Sequence, residues 1–267
     1  MTAALESAPV RTPLWYGLDE VPADLGPSVV TIGVFDGLHR GHRRLIEAAR
    51  RVADQRGLPL VLVTFDPHPA RVLGLDKDTA TLTTLAHRAE LAGAAGADAV
   101  CVLRFTREVA ALSPEVFARR VLAGTLEARA VVIGANFTFG AKAAGDVSSL
   151  HELGADLGFT AHPVPLLQAV DTPCSSTYTR RCLRVGDLDA ASRALGRPYR
   201  VDGHRRGDLV ELAPGTALPP PGRYVVTVAG GPGVVEVTEA GALHVVGGST
   251  GDGPVAVVFH APKEGDR

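Results

Sequence analysis

Residues 28–42 read Ser-Val-Val-Thr-Ile-Gly-Val-Phe-Asp-Gly-Leu-His-Arg-Gly-His. The first eight are mostly apolar and rich in β-branched residues, which predicts a buried strand over 28–35 that ends in Asp36-Gly37. Leu45, Ile46, Ala49 and Val52 recur at helical spacing and predict a helix over 42–56. A strand, a glycine-rich turn and a helix in succession suit a phosphate group. Gly33, Gly37 and Gly41 allow close backbone approach, and the helix start offers N–H groups and the positive end of a dipole. His39 and His42 lie three residues apart on this turn. Two imidazoles there can donate hydrogen bonds to phosphate oxygens and stabilise charge that grows during phosphoryl transfer. Two histidines framed by three glycines favour this over a plain corner with solvent-facing side chains. A zinc site fits less well, because no Cys or His pair lies near in sequence to complete a ligand set.

Further strands are expected over 59–65, 98–105 and 129–135, with a weaker one near 159–165. Helices are expected over 83–95 and from Ser113-Pro114, with Ser113 as N-cap and Pro114 at the first position. The alternation predicts an α/β fold with a Rossmann-like parallel sheet covered on both faces. Ligands then sit outside the carboxyl ends of the strands, at 36–42, 66–69, 106 and 134–146. Asp66-Pro67-His68-Pro69 must leave the sheet, because two prolines cannot continue a strand. Near residue 200 the pattern changes to short apolar runs, such as 223–229 and 254–259, between glycines and prolines. This predicts a division into 1–200 and 201–267, the latter a small C-terminal antiparallel β appendage of marginal stability by itself.

With 46% hydrophobic residues and a net charge of -2, the chain can bury a sizeable core and does not resemble a basic nucleic-acid binder. Cys101, Cys174 and Cys182 have no metal or disulfide spacing, which points to a reduced, cytoplasmic protein. Met1–Pro13 does not read as a signal peptide, and no apolar run is long enough to span a bilayer. Neither a nucleic acid nor a membrane is expected as a partner; self-association is not legible.

Gly33-Val-Phe-Asp-Gly-Leu-His-Arg-Gly-His42 resembles the HxGH-type nucleotidyltransferase signature as it occurs in bacterial bifunctional riboflavin kinase/FAD synthetases. The resemblance continues through VTFDPHP (63–69), LTTLAHRAELAGAAGAD (82–98), LSPEVFARRVL (112–122), VIGANFTFGAKAAGD (132–146) and CSSTYTR (174–180). It implies that AMP is transferred from ATP to FMN, giving FAD and pyrophosphate, with Mg2+ carried on the substrate phosphates. His39, His42 and Arg180 would then be catalytic, Arg180 by forking onto triphosphate oxygens. Gly33, Phe35, Asp36, Gly37, Gly41, Ser175, Ser176 and Thr177 would bind the nucleotide phosphates. Asp66, His68, Asn136, Phe137 and Phe139 would line the acceptor site, with core packing the alternative for one of the two phenylalanines. No protein metal ligands are implied. Nothing in these motifs selects ATP over CTP.

The chain departs from this family after Leu195-Gly-Arg-Pro-Tyr-Arg-Val-Asp-Gly203. The kinase hallmark GFPTAN, whose Thr and Asn serve ATP and magnesium, is missing, and Arg205-Arg-Gly-Asp208 runs almost straight into Leu209. Residues 217–230 still look like a kinase barrel strand. The expectation is therefore a shortened kinase remnant without kinase chemistry, with Glu236 and Glu239 facing solvent. Its removal is expected to cost solubility but not catalysis. Two other readings stay open: a related transferase using another nucleotide or acceptor, and a non-catalytic flavin- or nucleotide-binding protein.

Overall fold

A computed structural model describes residues 12–165, 174–247 and 251–261; the expectation about a leader at the N-terminus falls almost wholly outside them. In chain order the strands are β1 (Leu14–Tyr16), β2 (Ser28–Ile32), β3 (Leu60–Asp66), β4 (Ala99–Arg104), β5 (Ala128–Gly134), β6 (Thr160–Val164), β7 (Tyr199–Arg206), β8 (Leu209–Leu212), β9 (Gly222–Val228), β10 (Gly231–Val237), β11 (Leu243–Val246) and β12 (Gly253–Phe259). The α-helices are α1 (Arg40–Arg56), α2 (Pro69–Val72), α3 (Leu85–Ala94), α4 (Arg107–Ala110), α5 (Pro114–Phe117), α6 (Val147–Leu157), α7 (Ser176–Arg184) and α8 (Leu188–Leu195). These elements form two compact units that interleave along the sequence. The first takes the chain up to Gly33, then Leu45–Asp66 and Ala89–Val164; the second takes Val34–Arg44, Pro67–Arg88 and the chain from Pro165 onward.

The first unit is built on a six-stranded sheet in the order β1-β4-β3-β2-β5-β6, with every pairing parallel. All five residues of β2 are buried, as both-face coverage of a parallel sheet requires. Val30, Ile32, Val61, Val63, Val131 and Ile133 share one apolar cluster with Phe117, Leu122 and Leu150. Strand order reverses between β2 and β5, so the carboxyl end of β2 is the switch point at which such sheets bind ligands. The strand expected to reach residue 35 stops at Ile32, because Phe35 adopts a left-handed φ of +52° that no strand accommodates. Ser113 caps α5 as expected, its Oγ accepting from Val116 N at 3.2 Å; the helix then widens into a π-helical stretch over Ala118–Thr125. The short strand β1, parallel to β4 at Leu14↔Val100, was not expected.

The second unit contains a closed barrel in the order β10-β11-β8-β7-β12-β9. Closure removes exposed strand edges. Val201, Val226, Val235, Val257 and Phe259 point inward, and the same apolar cluster includes Leu82, Leu183, Leu188 and Leu195. The barrel therefore shares its core with α7, α8 and Leu82. Its removal would strip contacts from α7, α8 and the segment beside Thr83, at about 1.5–3 kcal/mol for each buried side chain exposed. Where the kinase hallmark is missing, Arg206 pairs with Leu209 across a two-residue turn, Gly207-Asp208. Gly207 takes φ +60° there, and its N–H donates to Asp252 at 2.8 Å. Glu236 and Glu239 are exposed, Glu236 lying 3.8 Å from Arg223.

Candidate active site

The turn that follows β2 is unusual backbone. Phe35, Gly37 and Leu38 have φ of +52°, +76° and +36°. A left-handed residue other than glycine costs about 1–3 kcal/mol and persists only where its surroundings over-determine it. Here four backbone carbonyls of the turn are held by side chains. Arg88 donates to Val34 O at 3.1 Å, Ser176 Oγ to Asp36 O at 2.7 Å, and Arg197 to Gly37 O at 2.7 Å and Leu38 O at 3.1 Å. Gly37 N–H donates to Thr83 Oγ1 at 3.1 Å. A Cβ on Gly37 would come within 2.7 Å of Leu82 Cδ1, so glycine is needed there for space as well as for φ. The side chains of Phe35 and Leu38 are buried and anchor the turn from below.

Asp36, expected among the phosphate-binding residues, has a different task. It is only 3% exposed and both carboxylate oxygens are engaged. They accept from Leu82 N, Thr83 N and Thr83 Oγ1 at 3.1–3.2 Å, from Arg88 at 3.2 Å and from Arg180 at 2.6 Å. So placed, the carboxylate ties the turn to residues 82–88 and to α7. Arg180 is buried too, and its Nε donates to Ala80 O at 2.7 Å. Two nitrogens of the fork expected to reach the triphosphate, Nε and Nη2, are engaged within the protein.

His39 and His42 come together. Their rings stack with centroids 3.6 Å apart and planes at 21°, and His42 meets Phe35 edge-on at 5.0 Å. The His42 N–H donates to His39 Nδ1 at 3.3 Å, so His39 caps α1 and its ring proton belongs on Nε2. A Cβ on Gly41 would come 3.1 Å from that same Nδ1. Burial, then the charges of Arg197 and Arg180, push His39 down to about 4 against the pull of Asp36. Burial, then His39 and Arg88, push His42 well below its ordinary value. Both rings are neutral at neutral pH. His42 Nδ1 is buried and has no hydrogen-bond partner among the described residues. Such an orphan costs about 1–3 kcal/mol, and it is the kind of atom that a ligand satisfies.

On α7, Ser175 Oγ accepts from Tyr178 N at 3.1 Å and caps the helix, while Ser176 reaches the turn as described. Thr177 is exposed. His68 is half-buried and caps α2, its Nδ1 accepting from Ala70 N at 3.1 Å. Burial first, then Arg180, lowers its pKa. The remaining expected residues belong to the first unit. Gly33 ends the strand run, donating to Val63 O at 3.1 Å. Asp66 and Asn136 are exposed at the carboxyl ends of β3 and β5. Phe139 is buried in the first unit's core, and half-buried Phe137 packs on that core and stacks on Phe139 at 5.6 Å. Sequence reasoning missed Thr83, Arg88 and Arg197 as holders of the turn. The only signal was indirect: a buried acid at Asp36 requires buried cations somewhere.

These imidazoles make a prediction about acid. His39 and His87 are both lowered to about 4, His87 mainly by burial and then Arg200, with Asp202 opposing. The unfolded chain binds their protons near 6.5. Above that pH neither state is protonated and the fold keeps its full stability. Between 6.5 and about 4 only the unfolded chain takes up protons, so stability falls as pH falls. The slope reaches about 1.4 kcal/mol per pH unit for each histidine. Thermal unfolding followed by circular dichroism should give a Tm that is level just above neutrality and drops steeply through this window. A Tm that holds down to pH ~5 would contradict buried neutral rings.

An FAD synthetase family model matches residues 21–178, from ahead of β2 into the start of α7. The chain belongs to the FAD synthetase family. The match takes in the whole turn around His39 and His42 and the cap of α7. Among relatives of this FAD synthetase family chain, a bifunctional riboflavin kinase/FMN adenylyltransferase of Listeria monocytogenes is 35% identical over 196 residues, covering 73% of this chain and 59% of that protein. The protein of the same description from Pseudomonas fluorescens is 35% identical over 187 residues, 70% of this chain and 60% of its own length. That of Escherichia coli K12 is 34% identical over 188 residues, 70% and 59% respectively. The matched stretch thus spans about three fifths of these relatives. A crystal structure described as a macrolide-efflux protein from Streptococcus pneumoniae superposes with a TM-score of 0.78 at 22% identity, covering 94% of this chain and 90% of that one. At that identity the likeness is one of fold. No helix among the described residues is long and apolar enough to cross a membrane.

Proposed function

We propose that the chain is an FMN adenylyltransferase, which transfers AMP from ATP to FMN and releases pyrophosphate, in the cytoplasm. The observation that carries this reading is the stacked, neutral His39–His42 pair on a strained, braced turn, with His42 Nδ1 buried and without a hydrogen-bond partner among the described residues. Membership of the FAD synthetase family supports it, as do relatives described as FMN adenylyltransferases. The FMN phosphate attacks the α-phosphorus of ATP in line and pyrophosphate leaves; no covalent intermediate on the protein is needed. His39 and His42 donate to phosphate oxygens as charge builds on them. The starts of α1 and α7 add N–H groups and favourable dipoles. Asp36, Arg180, Ser176, Thr83 and Arg88 hold this array in place. Asp66, His68, Asn136 and Phe137 serve the acceptor. Magnesium arrives with the triphosphate, held by its oxygens and water.

The chain has no riboflavin kinase chemistry in this reading. The tight Gly207-Asp208 turn supports this, since it leaves no loop at the position where the family places its Thr and Asn for ATP and magnesium. One assay tests both statements. With magnesium, FMN and ATP should give FAD and pyrophosphate, while riboflavin and ATP should give no FMN by chromatography. Product from FMN with CTP but not ATP would reassign the nucleotide. No product with any of the four ribonucleoside triphosphates would leave a binding protein. FMN formed from riboflavin as fast as FAD forms from FMN would overturn the kinase statement.

A further inference from the structure

We propose that Arg197 is a positioning residue of the transfer reaction: from the start of the barrel it fixes the left-handed turn ahead of His39 and so makes the barrel part of the catalytic apparatus. The proposal rests on the adenylyltransferase reading above. Arg197 lies between two fixed neighbours. Helix α8 ends at Leu195, Gly196 takes φ +75°, Pro198 prevents any return to helix, and β7 begins at Tyr199. Tyr199 is itself pinned by its hydroxyl, which donates to Ala217 O at 2.7 Å. The guanidinium of Arg197 is therefore delivered from a rigid mount.

Its acceptors among the described residues are carbonyls: Gly37 O at 2.7 Å, Leu38 O at 3.1 Å and Leu195 O at 3.3 Å. Gly37 and Leu38 are the two left-handed residues immediately before His39. Both of their carbonyls are held by one planar fork, a geometry that a lysine ammonium cannot reproduce. Without the fork Gly37 and the strained Leu38 lose the hold on their carbonyls, and the ring that follows them moves.

The same side chain has an electrostatic part. Since its partners are carbonyls, its positive charge is not cancelled by its own hydrogen bonds. The groups that face His39 are Arg197, Arg180, Asp36 and the stacked His42. Arg197 is the strongest charge keeping His39 unprotonated, after burial itself. That matters to geometry, because only the neutral ring can accept the His42 N–H at Nδ1. Protonation would break the cap of α1 and set a cation against the second imidazole.

The test uses the full chain with Arg197→Met and Arg197→Lys. In Arg197→Met, kcat should fall on the order of a hundredfold, the cost of misplacing a catalytic group by about 1 Å, while KM for FMN changes little. The His39 titration midpoint, followed by NMR of its ring nitrogens, should rise from about 4 toward 6.5. Arg197→Lys keeps the charge and loses the fork, so the midpoint should stay low while kcat falls as in the methionine variant. Wild-type kcat in Arg197→Lys would overturn the positioning role, since charge alone would then suffice. An unmoved midpoint in Arg197→Met would overturn the electrostatic part. If Arg197→Met does not fold, the lysine variant decides. If the wild-type chain forms no FAD, the adenylyltransferase reading fails by itself. The proposal is then judged on the rings: a His42 backbone N–H signal and a His39 midpoint unchanged in both variants would sink it.

Discussion

Replacing His42 by alanine should lower kcat for FAD formation by about a hundredfold or more, with a smaller change in KM for FMN. A donor aimed at developing charge contributes on the order of 3 kcal/mol to the transition state and less to the ground state. The structure adds a second expected result. Because His42 Nδ1 is buried without a partner among the described residues, the substitution removes an unsatisfied polar atom along with the stacking on His39 and the edge contact with Phe35. The orphan's cost of about 1–3 kcal/mol offsets the lost ring contacts. Stability should therefore hold while activity collapses. Steady-state kinetics beside a thermal melt checks the pair. Activity within about twofold of wild type would remove His42 from the donor role, and a large fall in Tm would mean that the ring is structural.

The opposite signature is expected at Asp36. Its carboxylate lies between Arg88 and Arg180, and all three side chains are nearly inaccessible. Asp36→Ala removes the buried carboxylate that Arg88 and Arg180 share. Breaking a buried pair in this way costs about 3–5 kcal/mol. Leu82 N and Thr83 N also lose their acceptor. For a chain of this size that corresponds to a Tm fall of roughly 6–20 °C, and activity should disappear with the turn. Asp36→Asn should do almost as badly, since the amide keeps the shape and loses the charge. Adding Arg180→Met to Asp36→Ala should recover part of the loss, because one stranded cation is gone. Urea denaturation of the three variants reads this directly. A single substitution that costs less than about 1 kcal/mol would show that the turn is held by other means.

What the sequence made legible, and what it hid, follows from how each feature is encoded. Strands β2, β3, β4 and β5 are continuous apolar runs because both faces are covered, and such runs stand out. Strand β1 has three residues, too few for any period to show. In the barrel, β9 and β12 were visible as valine-rich runs. Strand β10 begins Gly231-Pro-Gly and reads as turn; only its partners β9 and β11 make it a strand. At the site, His39 and His42 were legible because a phosphate turn has a local grammar of glycines, histidines and a helix start. Arg88 and Arg197 were not, since a side chain that holds a distant carbonyl leaves no spacing behind. Asp36 was grouped with the phosphate contacts through its place in the motif; its ties to Arg88, Arg180 and residues 82–83 join distant segments and left no spacing to read.

The interleaving of the two units has a consequence for how the protein is made. On the ribosome, all six strands of the parallel sheet have emerged once Val164 is through. Of the residues that brace the 34–44 turn, Thr83 and Arg88 have been made by then; Ser176 and Arg180 on α7, then Arg197, and last the barrel that mounts it, arrive later. A nascent chain can thus complete its sheet while the turn bearing His39 and His42 has only its early supports. The carbonyls of Asp36, Gly37 and Leu38 gain their holders only once the chain beyond β6 has been made.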